Sequence, residues 1–109
     1  MKQIDHPLGF ILWQQDTMPT EKMDFYYYQG VLKCPIVSEG KAIPVSAISC
    51  WRMAAALGHP IAQYNMYIAC MNGYGCDKNV PLALQYLDQA AAQHFPPALD
   101  AKTLFDSKN

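Results

Sequence analysis

The sequence predicts an all-α fold, a short α-solenoid of antiparallel helical hairpins, and three observations predict it. The chain repeats itself: Met53-Ala54-Ala55-Ala56-Leu57-Gly58-His59-Pro60-Ile61-Ala62 recurs 36 residues later as Gln89-Ala90-Ala91-Ala92-Gln93-His94-Phe95-Pro96-Pro97-Ala98. Upstream, Ala47-Ile48 falls on Ala83-Leu84, and Cys50-Trp51 on Tyr86-Leu87. A period of this size is that of a helical hairpin, which cannot bury its apolar face alone and must stack on a neighbour. No run alternates polar and apolar residues as a half-buried strand would. Glycine, proline and asparagine interrupt the chain at intervals that leave helix-length segments between them.

Taken in order, residues 1–19 fall outside the repeat and read as a capping segment. Asp5 is placed to cap a short helix with Pro7 in its first turn. Leu8, Phe10, Ile11, Leu12 and Trp13 make that helix apolar almost all round, suited to cover the open edge of the first repeat, and Asp16 to Pro19 ends it. Repeat one covers 20–59. Thr20 caps a helix from Glu21 to Lys33, Pro35 to Pro44 is a loop, and a second helix runs from Val45 to Leu57. Ala47, Ala54 and Ala55 allow close helix approach there, while Ile48, Trp51 and Met53 supply bulk. Gly58 suits the left-handed residue after a helix end, and Pro60 cannot continue that helix.

Repeat two covers 60–94. Its first helix runs from Pro60 to Met71 and is stopped by Asn72-Gly73-Tyr74-Gly75. Asn79 caps the next helix, with Pro81 in its first turn, and that helix reaches Gln93. Residues 95–109 form a C-terminal capping helix that starts at Pro96-Pro97 and fades into Asp106-Ser107-Lys108-Asn109. The whole chain, 1–109, reads as one domain.

The totals agree. A chain of 109 residues buries somewhat over ~60% of the surface its unfolded form exposes. Hydrophobic residues make up 51% and aromatics 12%, so a core forms and disorder is excluded. A formal net charge of −1 supplies no field for nucleic acid or an anionic membrane. The start, Met1-Lys2-Gln3-Ile4-Asp5-His6-Pro7, leads only to the short apolar run Leu8 to Trp13, without a small-residue cleavage site. No stretch approaches the ~20 apolar residues of a membrane span. The expectation is a cytoplasmic protein. Cys34, Cys50, Cys70 and Cys76 are too sparse for a disulfide scaffold. Three of them stand where the pattern wants an apolar side chain, so they read as reduced, buried thiols. A Cys70–Cys76 disulfide is the alternative.

The run Ala62-Gln63-Tyr64-Asn65-Met66 through Asn72-Gly73-Tyr74-Gly75, then Ala83-Leu84 through Ala90-Ala91, resembles the Sel-one-like repeat. That unit reads roughly as A-x-A-Q-Y-x-L-G, a tyrosine, G-x-G-V, a late A-L and a closing K-A-A-x-x-G-H. The resemblance covers about residues 21–106 and is clearest from Pro60 to Gln93. The chain departs from the pattern at several places. Tyr67 stands where the family has glycine, which Gly30 keeps in the first repeat; Cys70 replaces the aromatic and Cys76 the valine. The first repeat has lost G-x-G, with Val37-Ser38-Glu39-Gly40 roughly in its place. The cysteines are not spaced as in the family's secreted, disulfide-bonded members. The resemblance implies a tetratricopeptide-repeat-like α-solenoid that works as a bacterial adaptor or scaffold in protein–protein interaction. Its specific variant is an immunity protein that neutralises a toxin or effector.

Other motifs reduce to structure. Gly73-Tyr74-Gly75 lacks the Lys-Ser or Lys-Thr that a nucleotide loop needs, and reads as an inter-helix turn. His59 and His94 both fall in turns between helices. Cys70, Cys76 and His94 lack the C-x-x-C spacing of zinc sites, yet they carry the rival reading, a thiol- or metal-dependent enzyme. Phe25-Tyr26-Tyr27-Tyr28 places four consecutive aromatics on one helix, so not all can be buried. Register assigns Phe25, Tyr27, Gly30, Ala62, Tyr64 and Met66 to the core. The expected partner-binding surface is then Tyr26, Tyr28, Gln29, Lys33, Gln63, Asn65, Tyr67 and Tyr74, on the concave side lined by first helices. Exposed tyrosines carry apolar area and a hydroxyl at low entropic cost. The sequence-level reading is a non-catalytic protein-binding module with no catalytic residue, no cofactor and no metal. Its partner is another protein, not nucleic acid or membrane, and its oligomeric state is unassigned. On this reading Tyr28→Ala with Asn65→Ala weakens binding without lowering the melting temperature.

Overall fold

A computed structural model describes residues 6–13, 21–34 and 43–107, the last three of these by backbone alone. Among the described residues there are five helices and no strand: α1 (Lys22–Lys33), α2 (Val45–Ala56), α3 (Pro60–Asn72), α4 (Val80–Ala92) and α5 (Pro96–Ser107). Each packs chiefly on its neighbour in the chain, α1 on α2, α2 on α3, α3 on α4 and α4 on α5. The helices end where the local chemistry stops them. The Asn79 side chain accepts from the Leu82 N–H at 3.1 Å, and Gly73 closes α3 in the left-handed region at φ 76°. Thr20, Asp5, Asp16 to Pro19 and most of the Pro35 to Pro44 loop, Val37 to Gly40 included, lie outside the described residues; the observed N-cap of α1 is Glu21, which makes no side-chain cap.

The 36-residue periodicity survives into geometry. After α2, Gly58 has φ 100° and the His59 N–H donates to the Ala54 carbonyl at 3.0 Å. After α4, His94 takes the same left-handed conformation at φ 61°, and the Phe95 N–H donates to the Ala90 carbonyl at 3.3 Å. The repeated alanines Ala54, Ala55, Ala90 and Ala91 are all buried, and their small side chains let consecutive helices approach.

Trp51 is the largest fully buried side chain. It fits because Gly30 faces it: a Cβ on Gly30 would lie 2.4 Å from two atoms of the indole. Its Nε1–H donates to the Tyr27 carbonyl at 3.2 Å, so the ring is both seated and tethered on α1. The equivalent positions in the second hairpin hold Tyr67 and Leu87, both buried. Bulk has moved from the second helix to the first.

Three expectations are corrected. Residues 8–13 are not helical; Pro7 and Leu8 form a turn closed by the Gly9 N–H to the His6 carbonyl at 2.9 Å, and the chain from Phe10 to Trp13 is extended. Gly9 explains this: it takes φ 96°, in the left-handed region that no right-handed helix interior contains. Phe25 is exposed rather than inward, and so is Met53, the bulk at the crossing coming from Ile48 and Trp51. α5 starts at Pro96 as expected and runs to Ser107.

Gly30→Ala should cost about 1–3 kcal/mol in urea unfolding, because a β-carbon there overlaps the indole. Ala90→Leu should cost a similar amount at the crossing of α4, since Ala90 is fully buried. Unchanged midpoints in both variants would show that neither crossing is tightly packed.

Candidate functional site

Residues 6–13 lie as a strap across a face built from α1, α3 and the residue that precedes α5. The strap runs antiparallel to α3, since Gly9 sits over Ile68 and Ile11 over Asn65. Phe10 and Leu12, two residues apart, both turn inward and are 1% exposed. That spacing follows from extended backbone, in which alternate side chains share a face. Phe10 meets the Trp51 ring at 5.1 Å and the edge of Tyr74 at 6.0 Å. Full burial of Phe10 and of Leu12 contributes roughly 1.5–3 kcal/mol each.

The main chain of the strap is read by two side chains. Asn65 accepts from the Ile11 N–H at 2.8 Å and donates through Nδ2 to the Ile11 carbonyl at 2.9 Å. One amide thereby satisfies both backbone groups of one residue, as a neighbouring strand would. The Tyr27 hydroxyl points to the Trp13 carbonyl at 2.9 Å and the Ile11 carbonyl at 3.3 Å. Trp13 ends the strap against Phe95 at 5.8 Å, and Tyr64 meets the same Phe95 ring at 5.8 Å.

Behind the strap lies a second polar group. His59, buried, is stacked on the Tyr27 ring at 4.5 Å. Its Nδ1 accepts from the Ala62 N–H at 3.3 Å, capping α3, and its Nε2 faces Asp24 Oδ1 at 3.1 Å. With Nδ1 an acceptor, the proton is on Nε2 and is given to Asp24, so the ring is neutral and holds no free base. Burial pushes its pKa below the usual histidine value, against the opposing pull of Asp24. Burial also raises the Tyr27 phenol, with the Trp13 carbonyl opposing.

The expected partner-binding residues divide into two groups. Asn65, Gln63 and Tyr67 are buried. Asn65 lies beneath the strap; Gln63 donates to the Ala55 carbonyl at 3.2 Å and accepts from Gln93 Nε2 at 2.9 Å; and the Tyr67 ring lies 5.5 Å from that of Tyr64. Tyr74 is half-buried and lines the Phe10 site. Tyr26, Tyr28 and Gln29 are half-buried on α1, and Lys33 is exposed, its Nζ 3.7 Å from Cys50 Sγ. The sequence reading missed Phe10, Leu12, Tyr27 and His59 as parts of one site. The signal for Phe10 and Leu12 was Gly9, which weakens a helix interior.

The rival constellation is not brought together. Cys70 and Cys76 are hydrogen-bonded at the α3–α4 turn, whereas His94 is exposed at the far end of α4, about 20 Å of helix away. Burial pushes the Cys70 thiol up to about 11, opposite to the depressed pKa of an activated thiol. Among the described residues no three His, Cys, Asp or Glu side chains cluster as metal ligands, none of the four cysteines is in a disulfide, and no helix is long and apolar enough to cross a membrane. Gly75 belongs to packing: a Cβ there would lie 2.6 Å from Ile48 Cγ1.

No protein-family model matches the chain, and neither a curated protein nor a solved structure matches it.

Asn65→Ala should lower stability by about 1–3 kcal/mol, since it strands the N–H and C=O of Ile11. This replaces the expectation of an unchanged melting temperature, and thermal unfolding measures it. His59 also predicts a pH dependence. The unfolded chain takes a proton near pH 6.5 that the folded ring resists, so stability is full above that pH and falls as pH drops through it. His59→Asn keeps a cap and should flatten the melting temperature between pH 7 and 5; an equally steep profile would assign the dependence elsewhere.

Proposed function

We propose that the chain is a non-catalytic protein–protein interaction module of the Sel-one-like type. On this reading the five helices form a short, tetratricopeptide-repeat-like α-solenoid: two hairpins, 20–59 and 60–94, between capping segments. Three equivalences at the 36-residue register support it: Ala54 with Ala90, Trp51 with Leu87, and the left-handed Gly58 with His94. First helices α1 and α3 then line the concave side. The single observation that carries the function is the seating of an extended chain segment on that side, its backbone held by Asn65 and Tyr27. A surface that receives extended backbone in this way is built for peptide contact rather than for turnover. A dedicated partner, with a toxin or effector bound by an immunity protein as the specific case, suits such a module.

Tyr26, Tyr28 and Gln29 on α1 supply the part of the surface that the strap leaves partly open. With the chain as bait in cells of its source, a single protein should be retained stoichiometrically. Calorimetry with that purified protein should give at least a tenfold weaker Kd for Tyr28→Ala and little change for Gln85→Ala or Asp88→Ala on α4. Weak dependence on salt should accompany this, because the surface is neutral and aromatic. Turnover abolished by Cys70→Ser, or an affinity that depends on Asp88 and not Tyr28, would overturn the reading.

A further inference from the structure

The strap is bonded to the fold as a ligand would be. It enters no helix, and a side-chain amide, that of Asn65, holds both backbone groups of Ile11. Its side chains are inserted two residues apart, Phe10 beside Trp51 and Tyr74, and Leu12 beyond it. Eight residues, 14–21, join it to α1, a connection that spans at most about 29 Å.

We infer that residues 6–13 are an intramolecular competitor for the groove, and that the partner displaces them with an extended segment of its own. The segment is uncharged, with an aromatic residue and, two positions on, a leucine-like aliphatic one. The residue between them presents a free backbone N–H and C=O to Asn65, so proline is excluded there. This rests on the protein-binding reading above and specifies its site, its ligand and its regulation.

The chemistry of the groove selects this ligand. Among the described residues, the side chains that touch the strap include Tyr27, Trp51, Asn65, Ile68, Tyr74 and Phe95, and these six are uncharged. A charged segment would be buried there without an ion to pair with. The tether selects the source. A strap covalently joined through so few residues is held at an effective concentration of ~1 mM. The strap of a second copy has the same sequence and the same intrinsic affinity, so at micromolar concentration it loses to the tethered one. A separate protein with a better-fitting segment does not.

Two measurements test this. Native-state hydrogen exchange on the unaltered chain compares the Ile11 amide with the Met66 and Ala69 amides of α3. The Ile11 amide should exchange at least tenfold faster and with little urea dependence, because the strap leaves while the helices persist. Exchange at the α3 rate with the α3 urea dependence would make the strap an inseparable part of the core and overturn the inference. The second measurement follows the fluorescence anisotropy of a labelled peptide of residues 6–13. It should bind the full chain carrying Phe10→Ala and Leu12→Ala at least tenfold more tightly than the unaltered chain. A peptide N-methylated at Ile11, which offers Asn65 no N–H, should not bind. Absence of saturable binding to the folded variant, or equal binding of the methylated peptide, overturns the inference. If the variant does not fold, the exchange data decide alone. A micromolar dimer of the unaltered chain that Phe10→Ala abolishes would make a second copy the occupant and refute the separate partner. A partner that binds without accelerating Ile11 exchange sinks the displacement and leaves the interaction module standing.

Discussion

The rest of the structure depends on the seating of Trp51. Its indole occupies space that only a glycine at position 30 leaves open, and its N–H is anchored on the Tyr27 carbonyl. That pairing sets the distance between α1 and α2. It also sets the position of Tyr27, whose hydroxyl reaches the strap and whose ring covers His59. The opposite side of the indole meets Phe10. One buried side chain therefore joins the helix crossing, the cap of α3 and the groove. Its tolerance for change is small because interiors are packed to near-crystalline density.

The polar groups beneath the groove follow a common rule. His59, Gln63 and Asn65 are all buried, and all stand at or near the first turn of α3. Each is satisfied in a different direction. His59 caps its own helix and reaches Asp24 on α1, Gln63 bonds the end of α2 and the Gln93 side chain, and Asn65 faces the strap. The start of α3 is thus cross-linked to α1, to the end of α2 and to the end of α4 by side chains that leave no buried donor or acceptor unpaired among the described residues. Such networks specify a single arrangement because a partial shift would strand a polar atom.

Much of the fold was legible in the sequence, and particular residues show why. The alanines at 54, 55, 90 and 91 repeat at a fixed period, and their burial and the two left-handed turns follow from that period alone. Asn79, Gly73 and the prolines mark helix ends through local chemistry, which the sequence carries in full. Phe25 was misplaced because register gives the azimuth of a position, not what covers it. The helix expected at residues 8–13 failed for another reason. Its apolar run is as compatible with an extended chain as with a helix, so Gly9 and the tertiary contacts decide between them. Asn65, read as an exposed polar residue on a binding face, is instead buried beneath residues 6–13. Nothing within its own repeat shows that a segment more than fifty residues away closes over it.

This covering changes what the polar composition of the groove means. An exposed asparagine on a helix is neutral to stability and informs on little. A fully buried one must have its amide satisfied, and here both of its hydrogen bonds go to the backbone of a single residue. Backbone groups are common to every sequence except proline, so Asn65 fixes where an extended chain lies without selecting which chain it is. Selection falls to the two inward side chains, Phe10 and Leu12, and to the aromatic walls that meet them. Position and identity are therefore read by different residues. Tyr74 and Trp51 form the wall against the aromatic side chain, and Asn65 with Tyr27 holds the main chain. If the groove also receives a partner's segment, as proposed above, changes at the walls would alter which segment fits, whereas changes at Asn65 would loosen every segment alike.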